Sequence, residues 1–335
     1  MAQADGTLST SARHAAHRPP RQWWPWLRRA LTLAFFVAVA VLLWRFGREV
    51  EWAEVWRSAR GLAPSTLLLA GGLVVASHAL VSSFDLIGRH VTGHGLTVAR
   101  TWSVAWVSYA FNLNLGALVG GAGFRWRLYS RLGLESGVIA QVYGLSVVTN
   151  WLAYLVLFGA AVAWAPISLP PDWQIGRQGL KVLGAVLPLL AAAYLLACAR
   201  ARQRRWHWRE YTLELPSGRV GALQLLLSAI NWLVIAAVLY ILLGRQVEYT
   251  LVLAVTLFAA VAGAMTHVPA GLGVLEAVFV TLLASRMPQN EILAALMTYR
   301  GLNYLGPLLL ALLVYAMTEF QLRRAAGSAK PREPG

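Results

Sequence analysis

Long uncharged apolar runs alternate with short polar segments along most of the chain. The runs that reach the roughly 20 residues needed to cross a bilayer are Ser65–Phe84, Thr101–Phe124, Ser136–Pro171, Val220–Gly244 and Tyr249–Leu275. Of all residues, 58% are hydrophobic and 13% are charged, about half the charged fraction of a typical soluble protein. The pattern predicts an all-α polytopic membrane protein.

The first apolar segment, residues 30–44, resembles either a signal peptide or a transmembrane helix. Arg28 and Arg29 precede it, and cleavage after Ala40 would suit a signal peptide. Tryptophans flank the segment on both sides, as interfacial anchors do; they are Trp23, Trp24, Trp26 and Trp44. They favour a retained first helix that follows a basic cytoplasmic tail, residues 1–29.

Residues 45–64 have apolar positions at helical spacing. Trp52, Val55, Trp56 and Ala59 follow i, i+3, i+4 and i+7, with charged residues between them. This spacing predicts an amphipathic segment in the periplasmic membrane interface, and a soluble connector packed on a loop is the alternative.

An internal repeat accounts for most of the remaining chain. Residues 85–91 resemble 240–247, and each segment leads into an apolar run interrupted by glycines, at 120–123 and at 269–273. The two copies define membrane repeat A, residues 65–162, and membrane repeat B, residues 220–318. Three other segments complete the chain: a connecting transmembrane helix (178–199), a basic cytoplasmic loop (200–219) and a cytoplasmic tail (319–335).

The distribution of Lys and Arg tests whether the glycine-interrupted runs cross the membrane. If both cross, the basic residues divide equally between the two sides, against the positive-inside rule. If 101–131 and 250–286 are re-entrant, 20 basic residues lie inside and 8 outside. This predicts about six full spans, two re-entrant helical hairpins and two inverted repeats, with both termini in the cytoplasm. Inverted repeats with broken helices are typical of alternating-access transporters.

The first interruption predicts a phosphate site. Gly121 and Gly123 are the predicted break residues, and Arg125, Arg127 and Tyr129 follow them. A helix N-terminus with arginines suits an anion. The alternative is that the arginines are cytoplasmic anchors near the surface. Because near-surface arginines add little to stability, Arg125→Ala and Arg127→Ala are expected to weaken the handling of phosphate-bearing lipid and to leave folding intact.

The second interruption carries an isolated carboxylate. Pro269, Gly271 and Gly273 are the predicted break residues, Glu276 follows them, and Arg300 lies in the last span. A carboxylate at membrane depth needs a cation, and Arg300 is the available one. The two residues are predicted either to contact a lipid headgroup or to form a buried structural pair.

Other chemistry is not indicated. Cys198 is the single cysteine, no histidine group has a complete metal-ligand pattern, and no paired carboxylates or nucleophile with a base occur. No cofactor, metal, nucleic-acid partner or catalytic residue is therefore predicted, and the protein is not expected to be an enzyme.

The two glycine-containing segments resemble the signatures of a known family. Gly120-Gly121 with 124–129, and Pro269–Gly273 with Glu276, are similar to the lysylphosphatidylglycerol synthase transmembrane family, over nearly all of residues 30–318. This chain has Pro-Ala-Gly where the family commonly has Pro-Gly-Gly. The resemblance implies a stand-alone, flippase-like member without the soluble synthase domain, so lysine transfer is not expected.

The resemblance implies a lipid flippase of the bacterial inner membrane. Its expected substrates are an anionic or aminoacylated phospholipid or a polyprenyl-phosphate lipid, and a separate lipid synthase is a candidate partner. The alternatives are a non-transporting partner or regulator of a lipid-modifying enzyme and, third, a membrane-embedded lipid transferase.

Overall fold

The computed structural model describes residues 61–164, 177–208, 211–266 and 269–328, together with positions 37, 41, 53, 57 and 60. These five isolated positions are helical. Four predicted segments fall wholly or largely outside the described residues: the tail 1–29, nearly all of the first helix 30–44, nearly all of the amphipathic segment 45–64, and the end of the tail 319–335.

The described residues are almost entirely helical. The helices are α1 Pro64–Ser82, α2 Phe84–Thr92, α3 Val98–Gly116, α4 Phe124–Arg131, α5 Ser136–Trp164, α6 Arg177–Arg200, α7 Gly218–Leu242, α8 Tyr249–Thr266, α9 Val274–Leu283, α10 Gln289–Arg300 and α11 Gly306–Ser328. Ala117–Gly123 and Gly301–Leu305 are π-helical, and Pro269–Gly271 is a 3₁₀ turn. Two short strands, β1 Arg205–Trp208 and β2 Tyr211–Glu214, pair antiparallel.

Six of the described helical segments are long and apolar enough to cross a membrane. They are Pro64–Thr92, Ser136–Ala163, Gln178–Arg200, Gly218–Leu242, Tyr249–Thr266 and Gln289–Met317. The protein is therefore an all-α polytopic membrane protein. The set differs from the sequence prediction, because Tyr249–Thr266 qualifies by length and composition, whereas only positions 37 and 41 of the predicted span 30–44 are described.

The core and the lipid-exposed surface are both apolar. Leu239, Leu257 and Phe279 are completely buried in a cluster to which α1 and α5 to α10 contribute, α6 through Leu180. In contrast, α6 leaves Val182 and Leu189 more than half exposed. A contiguous exposed apolar surface is costly in water, so this surface of α6 suits contact with lipid.

The first glycine-interrupted run folds into hairpin A, residues 98–131. The chain reverses at Gly116, whose φ of 80° lies in the region that glycine adopts readily. The ring of Phe111 then stacks on Phe124 at 3.8 Å. At the base of the hairpin, the Tyr129 hydroxyl lies 3.3 Å from the Thr101 carbonyl oxygen. The two arms therefore start and finish at the same end.

Hairpin B, residues 249–283, reverses at Pro269–Gly273. Ala270, Gly271 and Gly273 all have positive φ, between 56° and 76°, which for Ala270 costs about 1–2 kcal/mol. The helices on either side, α8 and α9, pack against each other. This reversal coincides with the break predicted at Pro269, Gly271 and Gly273.

The bases of the two hairpins lie at opposite ends of α1. At the base of hairpin A, the Trp102 indole donates to the carbonyl oxygen of Ala79, near the C-terminal end of α1. At the base of hairpin B, Met287 and Gln246 line a small cavity with Leu62, which precedes α1. The tips of the two hairpins meet between these ends, since α3 contacts the 269–271 turn. The inverted repeats and the re-entrant membrane placement stay predictions.

Cysteine labelling checks this topology. Ser130 and Ser285 are exposed near the ends of the return arms of hairpins A and B. In a Cys198→Ser background, single cysteines at Ser130 and Ser285 should react with a membrane-impermeant maleimide from opposite faces, the cytoplasmic and periplasmic faces respectively. Labelling of both cysteines from one face would contradict the inverted arrangement.

Gly120 allows the arms of hairpin A to approach each other. A Cβ atom at Gly120 would lie 2.2 Å from the carbonyl oxygen of Phe111, a backbone clash. We expect Gly120→Ala to destabilise the protein by about 1–3 kcal/mol or more, measured by thermal unfolding in detergent. The matched control is Gly144→Ala in α5, where a Cβ would have no atom within 4 Å. Unchanged stability of Gly120→Ala would contradict this packing.

The predicted basic loop 200–219 contains a strand pair that the sequence analysis did not anticipate. Arg205 pairs with Glu214 across the strands, with 3.1 Å between Arg205 Nε and Glu214 Oε2. The Gln141 side chain donates to the Glu214 carbonyl oxygen at 3.3 Å, which fixes the pair against α5. Both segments contain residue types that favour strands: Trp206, Trp208, Tyr211 and Thr212.

Candidate functional site

A cavity of about 400 Å³ lies where the tips of the hairpins meet. Gly116 of hairpin A and Ala270 and Gly271 of hairpin B line it, together with side chains of α5, α7, α10 and the 301–305 turn. The Asn114 side chain connects the tip of hairpin A to the π-helical segment 301–305, because it donates to the Tyr304 carbonyl oxygen at 3.2 Å. The reversals of both hairpins therefore contribute to one site, and the predicted break residues Gly121 and Gly123 are not part of its lining.

The lining combines apolar, aromatic and neutral polar groups. Trp151 and Trp232 provide aromatic surface, and Asn112, Asn150 and Asn303 provide side-chain amides. Exposed lining residues at Ala117, Val147 and Ala264 mark where the cavity reaches the protein surface. Such a site can hold a polar group while an attached apolar chain remains outside.

Arg125 is the cationic side chain that lines this cavity, and it forms a buried ion pair with Asp85. Its Nε donates to Asp85 Oδ2 at 3.0 Å, and its Nη2 donates to Oδ1 at 3.1 Å. Only 4% of Arg125 and none of Asp85 is exposed. This forked, charge-assisted geometry is the strong form of such a pair. The pair connects hairpin A to α2.

Further bonds hold the Arg125 guanidinium in place. Its Nη1 donates to the Gly121 carbonyl oxygen at 3.3 Å, and its Nη2 also lies 3.4 Å from Ser146 Oγ. The guanidinium carbon lies 5.3 Å from the ring centroid of Tyr143, within the range of a cation–π contact. Arg125 thus links the return arm of hairpin A to α5.

Tyr129 and Arg127 have different surroundings. The buried Tyr129 hydroxyl donates to Asp85 Oδ2 at 2.9 Å, so Tyr129 supports the ion pair from behind. Arg127 is half-buried and its Nε donates to the Tyr315 hydroxyl of α11 at 2.9 Å. Neither residue lines the cavity.

Glu276 and Arg300 form the ion pair that the sequence predicted. Arg300 Nε donates to Glu276 Oε1 at 2.6 Å, and Nη2 donates to Oε2 at 2.9 Å. Exposure is 1% for Arg300 and 13% for Glu276. The prediction that Arg300 is the cation facing Glu276 is confirmed.

Arg300 also holds the reversal of hairpin B. Its Nη1 donates to the Ala270 carbonyl oxygen and its Nη2 to that of Gly271, each at 3.0 Å. These carbonyl groups lie where helical hydrogen bonding is interrupted and need other donors. Arg300 therefore lies behind the cavity lining and supplies those donors.

Both ion pairs join an arginine to a carboxylate, but the positions of the two partners relative to the hairpin are exchanged. In hairpin A the arginine lies on the return arm and its carboxylate lies outside, whereas in hairpin B Glu276 lies on the return arm and Arg300 lies outside. Each arginine also donates to a backbone carbonyl in or beside the reversal of its hairpin. Both pairs therefore fix a hairpin to its surroundings.

Two expectations for hairpin A need correction. Arg125 is buried, so the premise that it lies near the surface is wrong, and we expect its removal to destabilise the protein. The chain reverses at Gly116, whereas Gly121 and Gly123 lie in the π-helical start of the return arm. The reason is that Gly120 and Gly121 permit close approach: a Cβ at Gly121 would lie 2.7 Å from Asn112 Oδ1.

Asp85 is the important residue that sequence reasoning left unassigned. Repeat A contains two carboxylates, Asp85 and Glu135. A buried arginine requires a counter-charge, and Asp85 lies next to the apolar run of α1. The position of Asp85 beside an apolar run is therefore the sequence signal for this pair. This signal is missed because the anchor interpretation of Arg125 requires no partner.

His94, whose ring centroid lies 6.3 Å from that of Tyr129, adds no charge to the site. Burial, and then the charge of Arg89, lower the pKa of His94, which lies in the loop before α3. His94 is therefore neutral at pH 7. Within the described part of the chain, no group of three or more His, Cys, Asp or Glu side chains could hold a metal ion.

Comparison with known proteins identifies the family. The family described as "Lysylphosphatidylglycerol synthase TM region" matches residues 30–311. The chain is 42% identical to the inner membrane protein YbhN of Escherichia coli K12 over 302 residues, which cover 90% of this chain and 95% of YbhN. An uncharacterized protein of Synechocystis is 27% identical over 77% of this chain and 80% of that protein.

A phosphatidylglycerol lysyltransferase of Staphylococcus haemolyticus is also similar, at 26% identity over 74% of this chain. The match spans 28% of the length of that lysyltransferase. The family match covers both hairpins and both ion pairs. The chain belongs to the family of the lysylphosphatidylglycerol synthase transmembrane region.

Proposed function

We propose that this protein is a flippase that moves a phospholipid, an aminoacyl-phospholipid or a polyprenyl-linked lipid between the leaflets of the bacterial inner membrane. It acts as a transporter and not as an enzyme, with both termini in the cytoplasm. The names of two relatives support this assignment: one is an inner membrane protein, and the other is a lysyltransferase for the lipid phosphatidylglycerol.

The observation that carries the proposal is the cavity between the hairpin tips. Interrupted helices at membrane depth are tolerated where they are buried in protein or line a water-filled cavity, and the 116–123 and 269–273 segments meet at this one. Its amides and tyrosine hydroxyls can solvate a headgroup, and its apolar lining and exposed edge at Ala117 and Ala264 suit the acyl chains.

The candidate headgroup residues have separate roles in this proposal. Arg125 lines the cavity and meets the lipid phosphate. Tyr129, Glu276 and Arg300 hold the hairpins in the geometry that forms the cavity. Arg127 lies outside the cavity lining, on the cytoplasmic part of hairpin A, where its charge attracts lipid phosphates towards the site.

Reconstitution tests the proposal. Vesicles carry trace phospholipids with a nitrobenzoxadiazole label on one acyl chain, and dithionite reduces the label in the outer leaflet only. The purified protein should increase the fraction of label that dithionite reaches, relative to protein-free vesicles. If, for every lipid tested, dithionite reached the same fraction of label as in protein-free vesicles, the result would favour the non-transporting alternative.

A matched pair of variants connects transport to the cavity. Gly263 lines the cavity and Gly144 does not, and a Cβ at either glycine would meet no atom within 4 Å. We expect Gly263→Trp to fill the cavity and to lower lipid movement to the protein-free rate, while Gly144→Trp keeps the wild-type rate. Equal rates for the two variants would exclude this cavity as the route.

A further inference from the structure

The ionisable groups around the cavity are balanced in charge. Arg125 is the one charged side chain in its described lining, and Asp85 neutralises it at hydrogen-bond distance. Behind the lining, Glu276 neutralises Arg300 in the same way. Within the described residues the site therefore contains two cations and two anions and has no net charge.

The remaining polar groups of the lining are neutral and available. The side-chain amides of Asn112 and Asn150 and the hydroxyls of Tyr109 and Tyr304 line the cavity. Their side chains have no hydrogen-bond partner within the described part of the protein. Amides and hydroxyls can both donate and accept, so they can solvate an ammonium group as well as a phosphate oxygen.

Arg125 can still bind a phosphate without leaving Asp85. Four of its hydrogen-bonding contacts are Nε to Asp85, Nη2 to Asp85, Nη2 to Ser146 and Nη1 to Gly121. A guanidinium has five N–H groups, which leaves one on Nη1. A phosphate that binds there adds a negative charge to a neutral site, and an uncompensated charge in a low-dielectric site is costly.

From this balance we propose that the cavity selects phospholipids whose headgroup combines a phosphate with one amine and has no net charge. This inference rests on the proposed flippase function and specifies its substrate class. The phosphate binds the free N–H of Arg125, and the amine supplies the compensating charge and binds the oxygens of Asn112, Asn150 or the tyrosines. Net anionic headgroups lack that compensation.

The test compares headgroups in the same reconstituted vesicles. Acyl-labelled phosphatidylethanolamine is zwitterionic, phosphatidylglycerol is anionic, and lysyl-phosphatidylglycerol has an excess positive charge. Phosphatidylethanolamine should cross roughly tenfold faster than either of the others, equivalent to about 1.4 kcal/mol. Equal or faster movement of a net-charged lipid would overturn the substrate inference while the flippase function stood. No movement of any lipid would overturn both.

A variant that adds a charge to the cavity tests the inference through the ratio of two lipid rates, which does not depend on the absolute rate of either lipid. Asn150 is half-buried in the lining, and among the described residues its side chain has no hydrogen-bond partner to lose. Asn150→Lys should favour phosphatidylglycerol and lower the ratio of the phosphatidylethanolamine rate to the phosphatidylglycerol rate several-fold. Asn150→Gln keeps the amide group and adds no charge, so its ratio should stay closer to the wild-type ratio than that of Asn150→Lys. If both variants change the ratio equally, shape and not charge decides selection, and the inference is wrong.

Discussion

Replacing Glu276 with glutamine is expected to destabilise the protein by about 3–5 kcal/mol, the cost of leaving a buried charge without its partner. Arg300 is 1% exposed, so water cannot replace the lost carboxylate. Thermal unfolding in detergent measures the change. The control is Glu135→Gln, because Glu135 is an exposed carboxylate and such substitutions usually change stability by less than 0.5 kcal/mol.

A double-mutant cycle separates this pair from two independent effects. Arg300→Gln alone removes the ion pair and also the donors to the Ala270 and Gly271 carbonyl oxygens. Glu276→Gln with Arg300→Gln should recover part of the stability, with a coupling energy of about 1–3 kcal/mol. The recovery is incomplete because those carbonyl groups remain without their donors.

The same variants decide between the two roles of Glu276. If the pair is structural, the double mutant that folds should still move lipid. Additive stability effects, together with loss of lipid movement in Glu276→Gln alone, would show instead that the carboxylate contacts the substrate.

The two ion pairs, Glu276–Arg300 and Asp85–Arg125, differ in how far the sequence predicts them. Glu276 and Arg300 were matched from sequence because each is an isolated charge in an apolar segment, and a charge at membrane depth needs a partner. Arg125 follows an interruption on the predicted cytoplasmic side, where arginines are common anchors. Its partner Asp85 lies 40 residues away, so only the tertiary fold brings them together.

The sequence likewise predicts glycines that act locally but not glycines that allow a contact between distant segments. The pattern at 269–273 predicted the reversal of hairpin B, because proline and glycines with positive φ interrupt a helix locally. At 120–123 the glycines serve close packing of Gly120 against Phe111, a contact between two arms that sequence alone does not specify. Gly116, which makes the reversal, is a single glycine in a long apolar run.

Replacing Asp85 with asparagine is expected to be at least as damaging as Glu276→Gln. Asp85 has no exposed surface, and it accepts hydrogen bonds from Arg125 and from Tyr129. Asparagine keeps the size but removes the charge, which leaves the Arg125 guanidinium without a counter-charge. We expect a loss of about 3–5 kcal/mol, measured by thermal unfolding, and a smaller loss of about 1.5–3 kcal/mol for Tyr129→Phe, which removes one hydrogen bond to a charged group.

The matched control for Asp85→Asn is a carboxylate that pairs with arginine at the surface. Glu214 pairs with Arg205, whose side chain is 67% exposed, and exposed pairs contribute about 0–1 kcal/mol. Glu214→Gln should therefore have little effect. If Asp85→Asn were equally mild, Arg125 would be free of its pair in the membrane. Its charge would then be uncompensated in the cavity, and anionic lipids would become the favoured substrates.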